Sequence, residues 1–79
     1  MEIGVSYLRY GPPPPRRIVI SPRPLAGAVW IDGRWRWDGV TYVWVPGHWE
    51  RHPPYGKVWR AGRWVHTKRG WYWARGRWY

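Results

Sequence analysis

The chain has no cysteine, no phenylalanine and only four acidic residues against 14 Lys and Arg. Without cysteine there is no disulfide framework, no thiolate metal site and no thiol nucleophile. The acids are Glu2, Asp32, Asp38 and Glu50, and the only serines are Ser6 and Ser21. No nucleophile–base–orienter set can be assembled from so few groups, so neither an enzyme nor a cofactor is expected. Long hydrophobic runs are missing as well. The longest apolar stretches are a handful of residues, which leaves no membrane-spanning helix and no signal-peptide hydrophobic region within the sequence. Helix has little support, because Gly or Pro interrupts at short intervals and no apolar 3.6-residue period survives. At 79 residues the chain is one small domain at most.

What the chain has in abundance is tryptophan, with ten Trp beside six Tyr, far outside ordinary usage. The pattern Trp-x-x-Gly-x-Trp occurs four times, from Trp30 to Trp35, Trp44 to Trp49, Trp59 to Trp64 and Trp73 to Trp78. Each motif reads as a tight β-hairpin whose two-residue loop ends in glycine: Asp32-Gly33, Pro46-Gly47, Ala61-Gly62 and Arg75-Gly76. That geometry predicts positive φ at Gly33, Gly47, Gly62 and Gly76, with type II geometry at Pro46-Gly47 because proline cannot adopt positive φ. It also predicts cross-strand pairs within each motif: Trp30 with Trp35, Trp44 with Trp49, Trp59 with Trp64 and Trp73 with Trp78. Gly39 and Gly70 serve two further loops, Asp38-Gly39 and Arg69-Gly70.

The chain changes character near residue 27. Residues 1–27 hold six of the nine prolines, including Pro12 to Pro15, and read as an extended arm with strand-like stretches at Glu2 to Arg9 and Arg16 to Ser21. Residues 28–79 read as the repeat domain, in two halves, 28–51 and 57–79, separated by the Pro53-Pro54 break. Strict alternation sorts the side chains, so that all ten Trp can share one face while Arg34, Arg36, Arg60, Arg63 and Arg77 share the other. The expected fold is therefore all-β, an antiparallel meander of about eight short strands in two four-stranded repeats, sandwich-like or closed into a small barrel. A third solution lays the tryptophan face on another protein or on a second copy.

The formal net charge of +10 predicts attraction to anionic partners: an acidic polymer, a membrane surface or nucleic acid. Arg34, Arg36, Arg60, Arg63 and Arg77 are the candidate anion-binding residues, weighed against a plain solvated face. The Trp face reads first as core and only second as a platform for sugars or bases. His48, Glu50 and His52 fall on one face at strand spacing, but nearby Arg51 and Arg60 repel cations, so no metal site is assigned.

The string from Val29 to Arg51 resembles the bacterial WXXGXW (YXWGXW) repeat proteins, and the proline-rich segment ahead of it is similar to theirs. The resemblance covers residues 12–79. It implies export, with residence in the periplasm or outside the cell and the present chain as a mature form. The family has no established activity and supplies no catalytic residue. The leading expectation is a non-enzymatic structural or interaction module, assembling with other subunits or with itself and holding anionic partners on its basic surface. The runner-up is a nucleic-acid-binding module, followed by carbohydrate binding on Trp platforms.

Overall fold

A computed structural model describes residues 6–79, and the part of the Glu2–Arg9 strand expectation before residue 6 lies outside it. Regular structure consists of eight short strands: β1 (Val29–Ile31), β2 (Arg34–Trp37), β3 (Tyr42–Val45), β4 (His48–Glu50), β5 (Trp59–Arg60), β6 (Arg63–Thr67), β7 (Gly70–Ala74) and β8 (Arg77–Trp78). The described residues contain no helix and no closed barrel. Residues 16–21, expected as a strand, have no regular structure. Pro12 to Pro15 before them and Pro22 and Pro24 after them lack the N–H groups a ladder requires.

All pairing is antiparallel; the β2–β3 and β6–β7 pairings are the expected ones, whereas those of β1, β4, β5 and β8 are not. β2 pairs with β3 and β1 with β4; β6 pairs with β7 and β5 with β8. The register is continuous across each repeat, from Trp37–Tyr42 through Arg34–Val45 to Ile31–His48 and Val29–Glu50. Each repeat is thus one long hairpin, with its ladder interrupted midway where Asp32-Gly33 faces Pro46-Gly47. The second repeat copies this, from Thr67–Gly70 at the tip to Trp59–Trp78 at the base, with its waist at Ala61-Gly62 and Arg75-Gly76.

The Trp-x-x-Gly-x-Trp motif is therefore not a hairpin. Trp30 pairs with Trp49 rather than Trp35, and Trp35 with Trp44; Trp59 pairs with Trp78 rather than Trp64, and Trp64 with Trp73. Positive φ occurs at Gly27, Gly39, Gly56 and Gly70, and not at Gly33, Gly47, Gly62 or Gly76. The motif glycines are required for space. A Cβ on Gly33 would lie 2.5 Å from Trp44 Cζ2, and one on Gly47 would lie 2.5 Å from Trp30 Cζ2. Gly62 lies in the same way against Trp73, and Gly76 against Trp59. The relation is reciprocal. The first Trp of each motif packs over the glycine of the motif opposite and pairs with that motif's second Trp. The ring centroids stand 5.2 Å apart for Trp35–Trp44 and 5.4 Å for Trp30–Trp49, both edge-to-face at 69°. One motif is half of a lock, and two motifs on opposite arms complete it.

Both tips also depart from the expected register. Asp38 Oδ1 accepts from the N–H groups of Val40 and Thr41, and Asp38 N donates to Thr41 O, which closes a four-residue loop with Gly39 at φ 105°. Trp37 consequently faces Tyr42, not Val40. At the second tip the loop is Lys68-Arg69, and Trp71 stacks on His66 with centroids 4.5 Å apart.

The N-terminal arm straps the hairpins. Leu8 exchanges main-chain hydrogen bonds with Trp71 at 2.7 and 2.8 Å. Farther along, Trp35 Nε1 donates to Pro14 O at 3.1 Å and Trp49 Nε1 to Ser21 O at 3.0 Å. The guanidinium groups of Arg16 and Arg23 lie over those same two rings. The hairpins meet where Trp64 Nε1 donates to Trp35 O at 2.9 Å and Tyr42 meets Trp64 edge-to-face. Among the described residues none larger than Ala28 is buried, and all ten Trp are half-buried. Stability therefore comes from a shared aromatic layer, with no central core.

Candidate anion-binding face

Equivalent positions of the two hairpins are displaced by 29 residues, as from Trp30 to Trp59. This equivalence shows how the waists are arranged. Arg17, Ile18 and Val19 of the arm border a hollow with Trp30, Trp44 and Gly47 of the first hairpin. The first hairpin then turns Ile31, Asp32, Arg34, Val45, Pro46 and His48 toward a recess completed by Trp59, Ala61, Gly62, Trp73, Arg75 and Gly76 of the second. The waists thus lie in series: arm, first hairpin, second hairpin.

The series ends in arginine. The positions equivalent to Ile31, Pro46 and His48 are Arg60, Arg75 and Arg77, and Asp32 and Val45 give way to Ala61 and Ala74. With Arg63 and Tyr79 they line an open depression of about 230 Å³. At these positions the first repeat is mixed, with Ile31 and Val45 half-buried and Asp32, Pro46 and His48 exposed, whereas the second repeat is basic and open.

Local pairing brings these charges together. Arg60 lies directly opposite Arg77 in the β5–β8 ladder, and Arg63 opposite Ala74. Facing like charges destabilise a ladder by a few tenths of a kcal/mol. Arg60 stacks on the Tyr79 ring at 4.7 Å from its centroid. Tyr79 itself is fixed by reciprocal main-chain hydrogen bonds with Val58. No Asp or Glu side chain lines the depression, and residues 57–79 contain no Asp or Glu.

Of the five candidate arginines, the structure gathers Arg60, Arg63 and Arg77 in this depression, and all five are exposed. Arg34 and Arg36 stand apart on β2, opposite Val45 and Val43, with Arg34 over the Trp73 ring at 5.4 Å. Arg75 joins the cluster although sequence reasoning placed it in a loop. The signal that could have found it is the 29-residue equivalence with Pro46.

The three described carboxylates all belong to the first hairpin and all have local partners. Asp32 Oδ1 accepts from Trp30 Nε1 at 2.7 Å, and Glu50 Oε1 from His52 N at 3.1 Å. Asp38 is held below its ordinary pKa by the N–H groups of Thr41 and Val40, assisted by Arg36. Tyr42 is pushed up by burial. Among the described residues, no group of three His, Asp or Glu, including His48, Glu50 and His52, is placed to hold a metal ion. One polar atom is left over: Trp59 Nε1 is buried and finds no acceptor among the described residues. Its counterpart Trp30 uses Asp32, and Ala61 stands at the equivalent position.

The WXXGXW repeat family model matches the chain in two copies, over residues 29–50 and 39–65. No curated protein and no solved structure matched the chain.

Proposed function

The chain is a WXXGXW repeat-containing protein, and on that premise we propose a non-enzymatic interaction module of the bacterial envelope or an extracellular assembly, whose arginine end face holds an anionic polymer. The observation that carries this reading is the cluster Arg60, Arg63, Arg75 and Arg77 around Tyr79, on a surface without an Asp or Glu side chain. Guanidinium forks match carboxylate and phosphate oxygens two at a time. A polymer lying across the face would offset the Arg60–Arg77 repulsion that the ladder otherwise carries.

The experiment is a titration of an acidic polysaccharide, duplex DNA and anionic vesicles at several salt concentrations. For nucleic acid each neutralised phosphate contributes a logarithmic slope of about −0.7 to −0.9, so four arginines give roughly −3. The variant with Arg60, Arg63, Arg75 and Arg77 all replaced by Gln should lose most of the binding. A variant with Arg9, Arg16, Arg17 and Arg23 replaced should keep it. Equal losses in both variants would reduce the effect to net charge and refute a built site. Preference for DNA over the polysaccharide would favour the nucleic-acid reading.

A further inference from the structure

The arm that straps the hairpins is held at a few points only. Among the described residues, Leu8 alone joins the arm's main chain to theirs, through Trp71. The other anchors are hairpin side chains that donate to arm carbonyls: Tyr42 to Tyr10 O, Trp35 to Pro14 O and Trp49 to Ser21 O. Every residue from Pro13 to Gly27 is exposed, including the apolar run Ile18-Val19-Ile20. A single turn links the arm to the first hairpin. In it Ala28 N donates to Leu25 O at 3.3 Å, and Gly27 stands at φ 85°. We propose that this turn is a hinge and that two copies of the chain exchange arms, each arm lying on the other copy's hairpins.

The occupant follows from the fit. The surface under the arm is matched to this segment and a second copy presents the same one. Exchange therefore keeps every anchor and alters only the turn. Pro12 to Pro15 hold the arm extended on or off a hairpin, so its transfer costs little ordering entropy. Arg16 over the Trp35 ring and Arg23 over the Trp49 ring fix its register. Exchange also offers a gain. The two chains cross at a dyad through their hinges. Leu25 and the run from Ile18 to Ile20, exposed in a single copy, lie beside the hinge and would cover one another there. Charge works against the pair, because each copy carries +10. Added salt should therefore strengthen exchange, whereas it weakens the grip on an anionic polymer.

The test uses the full chain. A tethered arm competes at an effective concentration on the order of millimolar, so the pair should form in that range. Equal amounts of ¹⁵N-labelled and ¹³C-labelled chain are unfolded together, refolded at millimolar concentration and read by isotope-filtered Overhauser spectroscopy. Contacts from the indole N–H groups of Trp35 and Trp49 to Pro14 and Ser21 should appear between differently labelled copies. Gly27→Val is the second arm of the test. A Cβ there meets nothing within 4 Å, so the substitution strains the turn without a clash. An opened hinge is free of that strain once in each copy, so the dissociation constant of the dimer should fall about thirtyfold or more in sedimentation. Arg60→Gln with Arg77→Gln should leave the dimer in place, which separates exchange from binding at the end face. Three outcomes would each overturn the proposal: no contacts between copies after joint refolding, a folded Gly27→Val variant that stays monomeric at millimolar concentration, or a dimer whose contacts between copies omit the arm.

Discussion

Replacing Gly33 with alanine tests the lock between motifs. The new Cβ would sit 2.5 Å from Trp44 Cζ2, 2.9 Å from Val45 O and 3.0 Å from Gly47 N. Two of those neighbours are main-chain atoms and cannot rotate away. Overpacking of a close site costs about 1 to 3 kcal/mol, and the main-chain contacts place this one at the upper end, near 3 kcal/mol. A domain of 79 residues has a total stability of about 4 to 12 kcal/mol, so the loss is large. Denaturant unfolding followed by near-ultraviolet circular dichroism would measure it. The partner is identified by a double-mutant cycle. Trp44→Leu removes the ring over Gly33, so Gly33→Ala in that background should cost about 1 kcal/mol less than it does alone. Trp35→Leu lies in the same motif as Gly33, and its effect should come closer to adding. Full additivity with Trp44→Leu would refute the interlocking account. Coupling to Trp35→Leu in its place would restore the hairpin within each motif.

Three other expectations follow from the same contacts. Ala61→Asp should supply Trp59 Nε1 with the acceptor that Asp32 gives Trp30, and raise stability by about 1 kcal/mol in the same denaturation assay. The Asp38 carboxyl titrates below its ordinary value of 3.8 in the folded chain, so its contribution is complete above that value and is lost as pH falls through the lowered one. Asp38→Ala should therefore flatten the acid limb of a plot of unfolding midpoint against pH, and an unchanged limb would show that the tip hydrogen bonds do not matter. Removing residues 1–27 should expose the Trp35 and Trp49 rings that the arm covers, and raise the binding of a hydrophobic dye while the hairpins persist.

Much of this architecture was legible in the sequence, and its errors have a common cause. The alternation in Arg34-Trp35-Arg36-Trp37 correctly gave exposed arginines and half-buried tryptophans, because side-chain direction in a strand depends only on its period of two. Cross-strand tryptophan pairs were legible as a type of contact, but their partners were not. Two-residue loop rules are local, whereas the true partner of Trp30 is Trp49, reached around the tip at Asp38-Gly39. Two local signs argued against the loops. Proline cannot take positive φ at Pro46, and Ala61-Gly62 is not a favoured hairpin dipeptide. The arginine cluster was partly legible for a similar reason. Alternation identified Arg60, Arg63 and Arg77, but only the 29-residue equivalence sets Arg75, at the place of Pro46, beside them. How the two hairpins meet, with Trp64 on Trp35 O and against Tyr42, is encoded by no spacing within a motif.

The interlocked waists underlie both the serial arrangement and its arginine end, so the most direct test is nuclear magnetic resonance of the motif glycines. An indole held over a glycine shifts its Hα signals strongly upfield. Gly33, Gly47, Gly62 and Gly76 should all show such shifts, with nuclear Overhauser contacts to Trp44, Trp30, Trp73 and Trp59 respectively. Unshifted glycine signals, with Overhauser contacts between Trp30 and Trp35 or between Trp59 and Trp64, would contradict the account.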